Sequence, residues 1–134
     1  MKKLISCLSV LCLSASACAG TVIYTDSSNA VNSPYPDIPV VYLDAPERVQ
    51  TDIFGALPAA PSLAEKQAQN MLSSPAFTSQ QQQLASAYQG LMKAWSLGLT
   101  KYPAVVFDDK WVVYGTTDVS VAMQHLADWR GGNQ

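Results

Sequence analysis

Histidine occurs once in the 134 residues, at position 125, and Asp, Glu, Lys and Arg together make up only 13% of the chain. That is about half the charged share of an ordinary globular domain. A single histidine argues against both a His-based metal cage and a His-driven catalytic triad. Eight basic against ten acidic side chains give a formal charge of −2, so there is no broad positive field for nucleic acid. Cysteine occurs three times, but Cys7, Cys12 and Cys18 all stand at the start of the chain. Signature strings are missing too: neither G-x-S-x-G, nor G-x-G-x-x-G, nor a P-loop occurs, which removes the hydrolase and nucleotide-binding classes built on them. What the chain does have is apolar residues, 49% of the total. That is too many for a disordered chain, and the length fits one domain.

The N-terminus reads as an address. Met1-Lys2-Lys3 is a short cationic start, Leu4 to Leu13 is an apolar run, and Ser14 to Gly20 are small residues and Cys18. This is the layout of a secretory signal peptide, and the run is shorter than the roughly 20 residues that span a bilayer. Two A-x-A sites are present, Ala15-Ser16-Ala17 and Ala17-Cys18-Ala19. The second is preferred because Thr21 onward reads at once as a strand. Cleavage there gives a leader over 1–19 and a single domain over 20–134. The mature chain would lie in the periplasm without cysteine, hence without a disulfide, a thiolate metal site or thiol redox chemistry. It would have no membrane span. Losing Lys2 and Lys3 would make it two charges more negative. A second reading makes Cys18 a lipidated first residue anchored to the membrane; Ala15 stands where such a signal usually has leucine.

Along the mature chain, Thr21 to Thr25 is β-prone and stops at the turn formers Asp26-Ser27-Ser28-Asn29. Ser33 to Pro39 carries three prolines and reads as an extended connector. Val40 to Leu43 is a second strand. Residues 47–61 are ambiguous, with a short helix over Val49 to Leu57 as one reading. Ser62 and Glu65 have capping-box spacing before Leu63, Ala64, Ala68, Met71 and Leu72, and Ser73-Ser74-Pro75 breaks that helix. The clearest helix begins near Ser79: Leu84, Ala87, Tyr88, Leu91, Met92, Trp95 and Leu99 form one apolar stripe. Tyr102 to Phe107 and Trp111 to Tyr114 read as a hairpin, with Asp109 or Lys110 in the left-handed turn position. Asp118 caps a last helix whose buried face is Val119, Ala122, Met123, Leu126 and Trp129, stopped by Gly131-Gly132. This order predicts an α/β or α+β domain, a small mixed sheet covered by helices and closed by a hairpin and a helix.

Chemistry candidates are few. His125 sits one residue off its apolar stripe and reads as a surface side chain. Asp108 and Asp109 belong to a turn, where neighbouring side chains diverge. Asp26, Asp37, Asp44 and Asp52 are scattered and lack metal-loop spacing. The tryptophans lack the interleaved Lys and Arg of a nucleic-acid stacking platform. The residues therefore predict no catalytic constellation, no metal and no cofactor. Pro103 opens its strand. It reads either as an ordinary trans proline at an edge-strand start or as the cis-proline that thioredoxin-like folds place there; the order of elements favours the second.

These residues carry a resemblance. Ala87-Tyr88-Gln89-Gly90, Ala94 through Lys101, Tyr102-Pro103-Ala104-Val105-Val106, Val112-Val113-Tyr114-Gly115 and Asp118-Val119 resemble a bacterial family of small exported proteins. That family is encoded in integrating conjugative elements and occasionally on plasmids. Val22 to Asp26, and Leu43-Asp44-Ala45-Pro46 with Arg48, resemble its N-terminal half. The resemblance implies a thioredoxin-like periplasmic protein of a conjugative DNA-transfer module, beside type IV secretion components as protein partners. Where a thioredoxin-like oxidoreductase carries Cys-x-x-Cys, this chain has Asp26-Ser27-Ser28-Asn29, and thiol–disulfide exchange needs a thiolate. The expectation is a non-catalytic accessory that binds protein through a groove formed by Tyr102, Pro103, Asp26 and Ser27. The alternative is a thiol-independent chaperone or isomerase for secretion subunits.

Overall fold

In the computed structural model, residues 20–31, 35–55 and 57–133 are described. The expected leader over 1–19, including Cys18, lies outside them, as do Ser33 and Pro34 of the proline-rich segment. The elements run β1 (Thr21–Thr25), β2 (Val40–Tyr42), α1 (Ala45–Phe54), α2 (Pro61–Leu72), α3 (Pro75–Ser96), β3 (Ala104–Phe107), β4 (Trp111–Tyr114) and α4 (Val119–Gly132). The four strands form one mixed sheet in the order β2-β1-β3-β4. β1 pairs parallel with β2 and antiparallel with β3, and β3 pairs antiparallel with β4. The expected fold class is the one found, a small mixed sheet with helices, ending in a hairpin and a helix.

Both faces of the sheet are covered, which is why β3, Ala-Val-Val-Phe, is buried along its whole length. Alternation sorts the side chains. Ile23, Val105 and Phe107 face one way, against Val119 and Ala122 of α4 and Ile38 of the long connection. Tyr24 and Val106 face the other way, against Ala94 of α3. β1 and β2 are joined through residues 26–39, which hold no helix among their described residues, although a helical crossover is the usual parallel connection. Thr25 is fully buried, and its Oγ1 has no hydrogen-bond partner.

Several expected boundaries move. The ambiguous stretch forms α1, starting at Ala45 and ending before Leu57. The Ser62 capping box does not form: Ala60 is the N-cap and Pro61 opens α2, so Ser62 already lies in the first turn. Proline at the first helical position has no N–H to leave unpaired. Pro75 plays the same part in α3, which begins four residues ahead of Ser79. In the hairpin, Asp108 and Asp109 both take positive φ of 54°, and Lys110 N donates to the Phe107 carbonyl at 3.1 Å; the left-handed pair is Asp108-Asp109, not Lys110. Asp108 N donates in turn to Gly20 O.

The largest correction concerns how much of the expected α3 stripe is inside. Of the stripe expected to bury α3, Met92 is 65% and Trp95 73% exposed, and Tyr88 is exposed as well; Ala94 is the buried residue of that helix. The reason is approach distance. Gly90 sits so close to β2 that a Cβ there would fall 2.7 Å from Val41 Cγ1. Gly90 and Ala94 line the contact; of the expected stripe Leu84, Ala87, Leu91 and Leu99 stay half-buried, while Tyr88, Met92 and Trp95 turn outward. In α4 the expected face holds in part: Val119 and Ala122 are buried and Leu126 packs half-buried against the same core, while Met123 and Trp129 are exposed. Asp118 caps α4 as expected, accepting from Ser120 N at 2.8 Å and Val121 N at 3.2 Å.

Candidate functional site

Parallel pairing brings the C-terminal ends of β1 and β2 side by side, and the start of β3, antiparallel, arrives at the same end of the sheet. A crevice beyond strand ends of this kind is where α/β sheets bind ligands. Here it is a cavity of about 410 Å³ lined by Asp26, Leu43, Asp44, Glu47, Leu91, Ala94, Trp95, Leu99, Thr100, Lys101 and Tyr102. Each element contributes a part: β1 ends in Asp26, β2 runs into Asp44, α1 supplies Glu47, α3 supplies Leu91 and Trp95, and the segment into β3 supplies Tyr102.

The loop after β1 is held by its own side chains. Asp26 Oδ1 accepts from Asn29 N at 3.1 Å, from Asn29 Nδ2 at 2.5 Å and from Ser28 Oγ at 2.8 Å. Ser27 N donates to both carboxylate oxygens of Asp44, at 3.2 and 3.3 Å, and Ser27 Oγ donates to Asp44 Oδ2. Asp44 is the N-cap of α1, yet its side chain makes no cap bond to that helix; it clamps the β1 loop instead. Arg48, one turn on, lies 3.8 Å from the same carboxylate. These bonds favour the charged forms. The Asn29 and Ser28 donors hold the Asp26 carboxyl below its ordinary value of 3.8. The Ser27 donors, with a smaller help from Arg48, do the same for Asp44. Both are carboxylates at neutral pH.

The cavity lining is therefore part acidic, Asp26, Asp44 and Glu47, and part apolar, Leu91, Leu99 and Trp95, with Lys101 as its cation. Chemically, such a surface can accept hydrogen bonds from a cationic or amide donor while packing an apolar side chain. Among the described residues, no group of three or more His, Cys, Asp or Glu could hold a metal. No helix among them is long and apolar enough to cross a membrane.

Of the four residues expected at the groove, Asp26 and Tyr102 line it, and Tyr102 is 53% exposed. Ser27 acts one step back, through Asp44. Pro103 follows a cis peptide bond, and its carbonyl accepts from Gly115 N at 2.8 Å, which ties it to the hairpin. Asp44 and Glu47 were missed. Asp26 and Asp44 lie on separate loops in the sequence, whereas the structure brings both to one cavity lining. The available signal was that both directly follow β-prone runs, and parallel neighbours end at the same edge. Trp95 was expected in the core and instead forms a wall of the cavity. His125 is exposed on α4, outside this site.

The fold and the groove define a small α/β domain with a mixed acidic and aromatic cavity at the open end of its parallel strand pair. By family, the chain belongs to the one described as "Protein of unknown function (DUF1525)", whose model matches residues 18–132. No curated protein and no solved structure matches it.

Proposed function

We propose that the protein is a non-catalytic periplasmic accessory of a conjugative DNA-transfer apparatus of the type IV secretion kind, encoded on an integrating conjugative element. It is exported by residues 1–19 and acts by binding another protein through the cavity beside Tyr102. The observation that carries the binding half of this reading is the convergence of Asp26, Asp44, Trp95 and Tyr102 on one 410 Å³ cavity. A thioredoxin-like lineage is supported by the sheet order β2-β1-β3-β4 and by the place of the groove after β1 and before β3. In that comparison Asp26 to Asn29 occupy the redox position without a thiol, and the loop is spent on hydrogen bonds to Asp44. The conjugative setting rests on the resemblance of residues 87–119 to the exported family of these elements.

Two experiments test the two halves. Deleting the gene in a donor strain should lower conjugation frequency at least tenfold; unchanged transfer removes the process. Tyr102→Ala combined with Trp95→Ala should abolish co-purification of a stoichiometric envelope partner without changing the circular dichroism spectrum. If the partner stays, the cavity is not the binding site. A second reading, a thiol-independent chaperone or isomerase, is favoured by the exposed apolar side chains of α2 and α3, such as Leu63, Leu72 and Met92. It predicts that the purified protein suppresses aggregation of an unfolded client in place of holding one partner.

A further inference from the structure

Among the described residues the sheet ends at β4, so one side of that strand has no neighbour there. The hydrogen-bond phase says which groups face out. Gly115 N bonds to Pro103 O, and this pair is in step with Val105↔Val113 and Phe107↔Trp111. Antiparallel ladders alternate, so Trp111 and Val113 turn their backbone groups to β3, and Val112 and Tyr114 turn theirs outward. Natural edge strands are guarded by charge, proline, bulges or brevity. β4 reads Trp-Val-Val-Tyr and has no charged residue, proline or glycine. The opposite edge is guarded: β2 has three residues, follows Pro39, and has the Arg48 guanidinium over the Tyr42 ring at 5.8 Å.

Beside β4 lies a second groove of about 440 Å³, walled by Trp111, Val113 and Tyr114 on the strand and by His125, Leu126 and Trp129 on α4. Trp129 is 53% exposed, and its ring centroid is 5.2 Å from that of Trp111. Two cations sit over Trp111 at the turn end: Lys110 Nζ is 4.9 Å and Arg130 Cζ 5.1 Å from its centroid. Neither is in a salt bridge among the described residues.

We infer that β4 is a strand-addition site for an extended segment of a partner protein with an acidic residue at the end that meets Lys110 and Arg130, and with β-branched or apolar residues at alternate positions. Backbone bonds to Val112 and Tyr114 would supply affinity, and the groove against α4 would read every second side chain. The carboxylate would neutralise the two cations over Trp111. A second copy of this chain is the weaker occupant, because it would offer the same Trp-Val-Val-Tyr strand, which has no carboxylate for them.

The test uses acetylated, amidated hexapeptides of alternating Thr and Val that carry Asp, Asn or Lys at either end, titrated into the purified protein. Tryptophan fluorescence gives affinity and amide hydrogen exchange gives the contact. The expected result is at least tenfold tighter binding of an Asp-ended peptide than of its Lys-ended twin. Exchange should slow at least tenfold at the Val112 and Tyr114 amides, and those of Trp111 and Val113 should stay unchanged. Tyr114→Pro removes an outward N–H while leaving the ladder to β3, and should abolish binding. Lys110→Glu with Arg130→Glu, both on the surface, should invert the charge preference even if the proline variant folds poorly. Equal binding of the Asp-, Asn- and Lys-ended peptides, no binding, or exchange unchanged at Val112 and Tyr114 overturns the proposal. So does concentration-dependent dimerisation in sedimentation equilibrium that Tyr114→Pro abolishes, since β4 would then be a self-interface.

Discussion

In β1 and β3 every residue but Val22 is buried, and in α2 none is. Both regions are rich in apolar side chains, and α2 has them at good helical spacing, yet Leu63 and Leu72 are 58% and 60% exposed. The difference lies in what each meets. The central strands have a helix on either face, α4 toward Ile23 and Val105, α3 toward Tyr24 and Val106. Helix α2 packs mainly against α3, and none of its residues is buried. Apolar periodicity says that a helix has an apolar face; it does not say that anything covers that face. Stability should therefore be concentrated in the sheet and in the helix faces pressed on it.

The sharpest test of that division is Ile23→Ala. Ile23 is fully buried between β2, β3 and α4, and such a truncation leaves a cavity that costs about 2–5 kcal/mol. Chemical denaturation should show the loss as a lower midpoint. A fall smaller than about 1 kcal/mol would mean that the sheet centre is not where the fold is held. Next comes the seam between α3 and β2. Gly90→Leu forces a side chain toward Val41, where even a Cβ is too close, and overpacking of this kind costs about 1–3 kcal/mol. An unchanged midpoint would place α3 farther from the sheet than described.

Thr25→Val moves the other way. The hydroxyl at Thr25 is buried and unpartnered, and an unmet buried polar group costs about 1–3 kcal/mol. Replacing it by a methyl group of the same shape should raise stability by about 1 kcal/mol. A loss would mean that the hydroxyl has a bonding partner in solution.

How much of this could be read from the chain follows the range of the interactions. β1 is legible to the residue, because Thr21 to Thr25 is a β-prone run ended by Asp26-Ser27-Ser28, and β4 and the Asp118 cap are equally local. The break at Pro75 is legible, but the start of α3 is not, since its first turn, Pro-Ala-Phe-Thr, carries no periodicity of its own. The facing of α3 is legible only in part, for a different reason. Hydrophobic patterning weights large residues, while a helix lying close on a sheet is seated by small ones, here Gly90 and Ala94. Of the cavity, Asp26 and Tyr102 are expected through the family resemblance, which implies a groove after β1 and before β3. Asp44 and Glu47 depend on β2 running parallel to β1, a pairing that local pattern does not encode.

The Ser27–Asp44 clamp lies between the two extremes, at the end of the buried sheet but in solvent. Its contribution is tied to the charged form of Asp44. The folded-state pKa is depressed below the ordinary 3.8, so the stabilisation is present above that value and is lost as pH falls through the folded one. Carbon-detected NMR titration should place the Asp44 midpoint below 3.8, and Ser27→Ala should move it back up. An Asp44 midpoint indifferent to Ser27→Ala would mean that the loop is not held by this carboxylate.

The smallest effect belongs to α2. Leu63→Ser with Leu72→Ser removes two exposed leucines from a helix with no buried residue. Exposed substitutions away from caps and networks fall within about 0.5 kcal/mol, and serine differs little from leucine in helix propensity on that scale. The unfolding midpoint should therefore stay within error of the parent, while Ile23→Ala falls. Should the double variant lose more than about 1 kcal/mol, α2 must be covered in solution, and sedimentation velocity on the parent would then have to show a self-associated species to account for it.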